Sequence, residues 1–242
     1  MKLFEAVYLC SEPFLPALHQ QVRSQLLSFS KSGASPKDVL DVGGRKSHYT
    51  IGVPCRITVS DLPRETEVQQ QLHLGLTPEI AERTLARRSN LDRVVFDDMT
   101  RSKFPDNSFD CIVAVEVLEH VEDDDAFVSE VSRVLRPGGL FLSTTPNGDY
   151  VTNHNPDHKR HYRGEQLRSL LASHLTDVKV DYAIRGGRWY SLALRSWSLR
   201  HPLRTLVTMT AGLVNSLQSR DRSIKQSAMG TQKLVAIGRK PN

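Results

Sequence analysis

Short apolar runs recur along the chain near residues 38–42, 56–60, 93–97, 110–115 and 139–144. They are apolar on consecutive rather than alternate positions, which predicts strands buried on both faces of a parallel sheet. Helical spacing appears between them, at 77–88 and 123–135. Leu15, Leu18, Val22, Leu26 and Leu27 predict a further helix over 14–29, ahead of the first strand. Pro137 and Gly138 predict the stop of the helix that precedes the fifth strand. A sixth strand is expected at 177–184 and a seventh at 231–240. Strands alternating with helices specify an α/β fold, a doubly wound sheet with right-handed crossovers. Two segments break the rhythm. The stretch from Ser47 to Arg56 is short for a full crossover helix. Residues 186–230 are far more than a hairpin between the last two strands needs, so they form an insertion. The insertion sets Trp189, Leu192, Leu194, Trp197 and Leu199 among Arg188, Arg195 and Arg200. A second amphipathic run follows at Leu203, Leu206, Val207, Leu213, Val214 and Leu217.

The 242 residues fit one domain. It divides into an N-terminal helical segment (1–37), a ligand-binding core (38–185), the basic insertion or lid (186–230) and a final strand (231–242). A hydrophobic fraction of 39% and a charged fraction of 24% are those of a soluble globular protein. No run approaches the ~18 apolar residues of a membrane span. Charge interrupts the N-terminus too early for a signal peptide. Cys10, Cys55 and Cys111 are odd in number and widely spaced, which argues for a reducing, cytoplasmic setting and against a zinc site. The net charge of +5 is unevenly spread. Residues 183–242 hold eleven Lys/Arg against one acid, Asp221. Such a segment meets phosphates, nucleic acid or an anionic membrane surface, or is a solvated basic face.

The candidate chemistry begins at Val39-Leu40-Asp41-Val42-Gly43-Gly44, an apolar strand running into a glycine turn. Glycine there lets the backbone approach a ligand closely. Asp61 ends the second apolar run, where an acid can accept both hydroxyl protons of a ribose. These features alone fit NAD or S-adenosylmethionine (SAM). Three later segments decide between them: Asp98-Met99, Phe104-Pro105-Asp106-Asn107-Ser108-Phe109-Asp110, and Glu116-Val117-Leu118-Glu119-His120-Val121. Their order resembles the class I SAM-dependent methyltransferases, in particular small-molecule enzymes with a Glu-x-x-Glu-His-Val motif. The resemblance covers roughly residues 38–145. It implies a Rossmann-like seven-stranded sheet whose last strand is antiparallel, with SAM as cofactor and S-adenosylhomocysteine as product. It also implies site roles. Asp41, Gly43 and Gly44 form the turn beneath the cofactor and Asp61 holds the ribose. Asp98 meets the adenine amino group. Met99 offers its N–H to a ring nitrogen and its side chain to the adenine face. Glu116 lines the pocket. The glycine motif departs from the family pattern, because Arg45 and Ser47 stand where further glycines are usual.

Acceptor chemistry is expected after the fourth and fifth strands, at their carboxyl ends. The segment after strand five contains His154, His158 and His161. Histidine titrates near neutrality and can take a proton from a hydroxyl or ammonium nucleophile. His158 and His161 are the leading catalytic candidates, with His154 behind them. Two metal sets arise. Glu116, Glu119 and His120 match a magnesium arrangement of ubiquinone-biosynthesis O-methyltransferases, and His154, His158 and His161 have roughly helical spacing. The expectation is a site without metal. The basic insertion reads as a lid, as a holder of a phosphorylated or lipid-linked acceptor, or as a helix lying on a membrane surface. The functional expectation is methyl transfer to an oxygen or nitrogen of a small polar molecule, such as a sugar, natural product or lipid-linked acceptor. The overall pattern also resembles bacterial methyltransferases of surface-polysaccharide and natural-product pathways. The alternatives are an RNA methyltransferase and a non-catalytic SAM-binding protein. No Asn/Asp-Pro-Pro-Tyr/Phe motif or Pro-Cys nucleophile supports a nucleic-acid substrate.

Overall fold

The computed structural model describes residues 2–33, 36–64, 75–198 and 200–242, with the Lys46 side chain left aside. Seven strands form one sheet: β1 (Lys37–Val42), β2 (Cys55–Asp61), β3 (Leu91–Phe96), β4 (Phe109–Val115), β5 (Leu135–Pro146), β6 (Thr176–Arg185) and β7 (Thr231–Arg239). Their order is β3-β2-β1-β4-β5-β7-β6. The first five are parallel, and β7 runs antiparallel between β5 and β6. The order reverses between β1 and β4. At such a switch point the loops leave the sheet in opposite directions and open a crevice at the carboxyl ends of the strands.

The described helices are α1 (Leu3–Ser11), α2 (Ala17–Ser30), α3 (Pro78–Arg87), α4 (Asp124–Val134), α5 (Gly164–Ala172), α6 (Arg188–Ala193) and α7 (Pro202–Gln218). One face of the sheet packs α4 and α5 through Phe127, Val128, Val131, Leu167 and Leu171 onto Leu40, Ile112 and Phe141. The other face receives Ala17, Leu18, Val22 and Leu26 of α2, packed on Val39, Ile57 and Val113. Between β1 and β2 the structure describes only a 3-10 turn, Gly44–Lys46, and no α-helix. Tyr49 and Val53 of that loop join α2 in the same apolar cluster, so the N-terminal helix covers the face a crossover helix would have covered.

The expected stop at Pro137-Gly138 is placed differently. α4 ends at Val134 and β5 begins at once at Leu135, with an irregular pairing to β4 before regular register resumes at Leu140. The insertion carries α6, α7 and a short 3-10 turn at Arg222–Gln226. No helix among the described residues is long and apolar enough to cross a membrane.

Candidate active site

β1 delivers Asp41 and the turn at Gly43-Gly44. The Asp41 carboxylate is fully buried. It accepts hydrogen bonds from the hydroxyls of Ser47, Tyr49 (2.7 Å) and Thr50 (3.4 Å). Burial pushes its pKa up to about 6, against the pull of those hydroxyls and Arg88. This carboxylate therefore ties the turn together from within. Gly43 has φ +67°, and a Cβ there would sit 2.8 Å from Val117 Cγ2. Gly44 is tighter still: a Cβ would fall 2.3 Å from the Asp41 carboxyl carbon. Gly44→Ala should consequently cost about 2 kcal/mol of stability, the usual scale of overpacking. A urea midpoint matching that of the unaltered protein would show that the turn yields without cost.

Asp61 ends β2 with a side chain that is largely covered. It accepts from the Leu62 N–H at 2.9 Å and lies 3.7 Å from Arg45 Nε. Asp98 caps the turn at Met99–Arg101 through Thr100 and pairs with Arg101 at 3.1 Å. Partial burial opposes its ionisation, but these bonds outweigh it and hold its pKa below the ordinary value. Met99 departs from expectation. Its side chain is buried in the core with Val42, Phe109 and Ile112, so it is not turned out to cover a ligand.

Glu116 follows β4 in a left-handed conformation, φ +55°, rare for a residue with a side chain. Its carboxylate forms an ion pair with Lys233 of β7 and accepts from Thr144 Oγ1 at 3.1 Å. Lys233 is nearly enclosed. Burial works against its charge, yet Glu116 more than compensates and holds its pKa above the ordinary value. Tyr190 of α6 stands near this pair, and burial raises its phenol. Neither Lys233 nor Tyr190 is conspicuous in the sequence, because the pair to Glu116 spans 117 positions.

Glu119 is fully buried, and neither carboxylate oxygen has a hydrogen-bond partner. The Thr145 hydroxyl beside it is buried as well and draws the Glu119 pKa down slightly. Burial, reinforced by Glu116, pushes the Glu119 pKa up to about 8.

The loop after β5 folds back over this acid. Asn147 anchors its start on Ala228 and Thr231. Tyr162 anchors its end, buried in the core with its hydroxyl donated to Asp124 at 2.7 Å. The Lys159 N–H meets the Glu119 carbonyl at 2.8 Å. His154 is exposed and makes no hydrogen bond among the described residues. His158 and His161 are joined, Nδ1 to Nε2, at 2.7 Å.

The protons of this chain can be assigned from its carbonyl ends. His161 Nδ1 faces the Val151 carbonyl at 3.1 Å, so that nitrogen carries the proton. His161 Nε2 then accepts, and His158 Nδ1 donates to it. The lone pair of His158 is left on Nε2. By the same reasoning His120 Nδ1 donates to the Asp157 carbonyl at 3.1 Å, and its Nε2 is also a lone pair. Burial, with His120 and His161 nearby, lowers the His158 pKa, so the ring is neutral near pH 7. Glu119, His120 and His158 each offer a ligand atom, all within 4.8 Å of one another. Two imidazoles and a carboxylate are a donor set that a transition ion accepts. This set differs from both sets weighed from the sequence: Glu116 is paired with Lys233, and His154 is not part of the group.

A concavity of about 430 Å³ lies elsewhere, at the amino ends of the strands, lined by Asp38, Arg56, Phe104 and Arg136. Ion pairs of Asp38 with Arg56 and Arg136 cross it. The switch-point geometry and the histidine cluster both favour the opposite end of the sheet.

Residues 66–143 match the family model described as a methyltransferase domain. A probable S-adenosylmethionine-dependent methyltransferase of Mycolicibacterium smegmatis is 46% identical over 72 residues, 28% of each chain. A ubiquinone biosynthesis O-methyltransferase of Caulobacter is 28% identical over 141 residues, half of this chain and 49% of that one. The matched stretches thus span half or less of these curated relatives. A SAM-dependent methyltransferase from Archaeoglobus fulgidus superposes with a TM-score of 0.57 at 16% identity, covering 92% of this chain and 94% of that one. Over the matched stretch the chain is similar to SAM-dependent methyltransferases, and residues 66–143 carry the pattern of a methyltransferase domain. SAM is the methyl donor named for the Mycolicibacterium relative, and the strand ends of this chain suit such a ligand. A Cβ-free turn at Gly43, an acid at Asp61 and a capped acidic turn at Asp98 stand in series at the carboxyl ends of β1, β2 and β3.

Proposed function

We propose that this methyltransferase moves the methyl group of SAM to an oxygen or nitrogen of a small polar acceptor, with His158 as the general base. The observation that carries the assignment of the base is the fixed proton order in the histidine chain. His158 Nε2 is left with its lone pair, on a loop held over the carboxyl ends of β4 and β5. SAM supplies an electrophilic methyl on a sulfonium. The protein aligns the nucleophile, excludes water and removes a proton where the acceptor carries one. Gly43 and Gly44, supported by Asp41, bring the backbone close to the cofactor. Asp61 binds its ribose, Asp98 its adenine amino group, and the Met99 N–H a ring nitrogen. Glu116, locked to Lys233, walls the methionine side. His161 orients His158, and Tyr190 brings the insertion to the same wall as a lid. His154 has no catalytic role in this arrangement.

Asp61→Ala is expected to weaken SAM binding by about 2 kcal/mol, the scale of lost hydrogen bonds to a charged group, or roughly thirtyfold. Equal calorimetric affinities would take Asp61 out of the site.

The acceptor is a small molecule, and we place the reaction in the cytoplasm, in keeping with three free cysteines. A phosphorylated or lipid-linked acceptor accords with the basic insertion, and an O-methyltransferase stands among the relatives. Incubation with methyl-labelled SAM and host extract, separated into small-molecule, lipid and RNA fractions, tests the proposal. Label in the small-molecule or lipid fraction supports it. Label in RNA replaces it with nucleic-acid methylation. SAM binding without any labelled product replaces it with a non-catalytic role.

A further inference from the structure

α7 is amphipathic with its polarity reversed. The side turned to the rest of the protein is small and polar: Thr208, Ala211, Gly212, Asn215 and Ser216 are all buried. Its hydrogen bonds are specific. Asn215 Nδ2 donates to the Arg185 carbonyl at 2.7 Å, and Ser216 donates to Gln20 Oε1 at 2.7 Å. Gly212 lies so close to the 3-10 turn at Glu12–Phe14 that a Cβ would meet the Phe14 carbonyl oxygen at 2.3 Å. The helix is therefore seated in one orientation and cannot roll its leucines inward. Its outer side is Leu203, Leu206, Val207, Leu213 and Leu217, with Leu203 79% and Leu206 62% exposed. Helical spacing aligns them in one stripe along the axis.

The apolar surface does not stop at α7. An open groove of about 350 Å³ runs between it and α1, lined by Ala6, Val7, Cys10, Phe14 and Met209. Beyond the groove, Leu3 and Val7 of α1 are themselves exposed. Leu194 and Trp197 add to the exposed apolar surface just before α7.

Charge selects the occupant. Arg195, Arg200 and Arg204 precede or open α7, and Arg220 and Arg222 follow it. All five are exposed, and none forms an ion pair among the described residues. A second copy would bring the same unpaired cations to the same stripe, and like charges oppose that contact. An anionic bilayer satisfies both halves of the pattern: acyl chains take the leucines, and phosphate headgroups take the arginines. At 17 residues the helix is too short to cross, so it would lie in the plane of the interface.

We propose that α7, with the adjoining surface of α1, is a docking face for anionic phospholipid membranes. The proposal concerns attachment and does not depend on methyl transfer, so it is tested without turnover. The full-length protein is mixed with vesicles of phosphatidylcholine alone or of phosphatidylcholine with phosphatidylglycerol, and sedimented. It should bind the anionic vesicles at least about tenfold better than the neutral ones, and less at raised salt. Leu206→Asp and, separately, Leu213→Asp should each reduce that binding about tenfold, as expected for a charge set against acyl chains. Both positions point outward, so SAM affinity and far-UV circular dichroism should not change. Failure to bind anionic vesicles overturns the proposal, as does binding that neither variant weakens. A dimer of the unaltered protein that either variant splits, seen by light scattering, would instead give the face to a second copy.

Discussion

His158→Ala is expected to lower turnover by about a hundredfold or more while leaving SAM affinity nearly unchanged. The size is that of a lost general base. The reason for choosing His158 over its neighbours is geometric. His161 has both ring nitrogens occupied, one by the Val151 carbonyl and one by His158. His154 is exposed and has no partner to fix its tautomer. Only His158 of the three combines a fixed tautomer, a free Nε2 and a lowered pKa. His161→Ala should act through His158. It should reduce turnover less and move the acidic limb of the pH–rate profile, because it removes the group that fixes the His158 proton. His161→Asn, which keeps a hydrogen-bonding group there, should recover part of the loss. Full turnover in His158→Ala would remove His158 as the base.

The second large effect is on stability and its dependence on pH. Glu119 is fully buried, with its pKa raised to about 8 from an ordinary value of 4.5. The groups around it are Glu116 of the β4 end, Lys233 of β7 and Tyr162 of the returning loop, with His120 next to it in sequence. Burial is the largest cause, and Glu116 adds to it. A carboxyl whose folded pKa lies above its unfolded one favours the fold fully below the unfolded value. That advantage is lost as pH rises through the folded value. The window therefore runs from about pH 4.5 to about 8, and the advantage declines as pH rises through it. Glu119→Gln should flatten this slope. The difference in unfolding free energy between the variant and the unaltered protein should therefore move in favour of the variant between pH 5 and pH 8.5, whatever its value at pH 5. Parallel urea-unfolding curves at the two pH values would show that Glu119 does not titrate in this range.

The strands were legible most clearly where burial on both faces leaves consecutive apolar residues, as in β1, β2, β4 and β5, and all seven lie where expected. The short span between β1 and β2 was legible too, as a missing crossover helix. That α2 takes its place depends on contacts with Tyr49 and Val53 that no local pattern encodes. The acids at Asp61, Asp98 and Glu116 were visible as ends of predicted strands. Asp41 was visible as well, but not that its carboxylate turns inward onto Ser47 and Tyr49. Met99 misled for a related reason. A position beside a binding acid says nothing about which way its side chain points, and here the core takes it. Lys233 and Tyr190 were hidden because strand order, rather than sequence distance, brings β7 and α6 to Glu116. The periodicity of α7 was plain, yet periodicity shows that a helix has two faces without saying which is inside. Gly212 against the Phe14 carbonyl settles that, and it settles it against the usual polarity.

The most direct measurement is a calorimetric titration of the purified protein with SAM and, separately, with NAD. The switch-point site described above predicts saturable SAM binding at one site per chain and no heat from NAD. Saturable NAD binding with no response to SAM would contradict the placement of the methyl donor at the carboxyl ends of β1, β2 and β4.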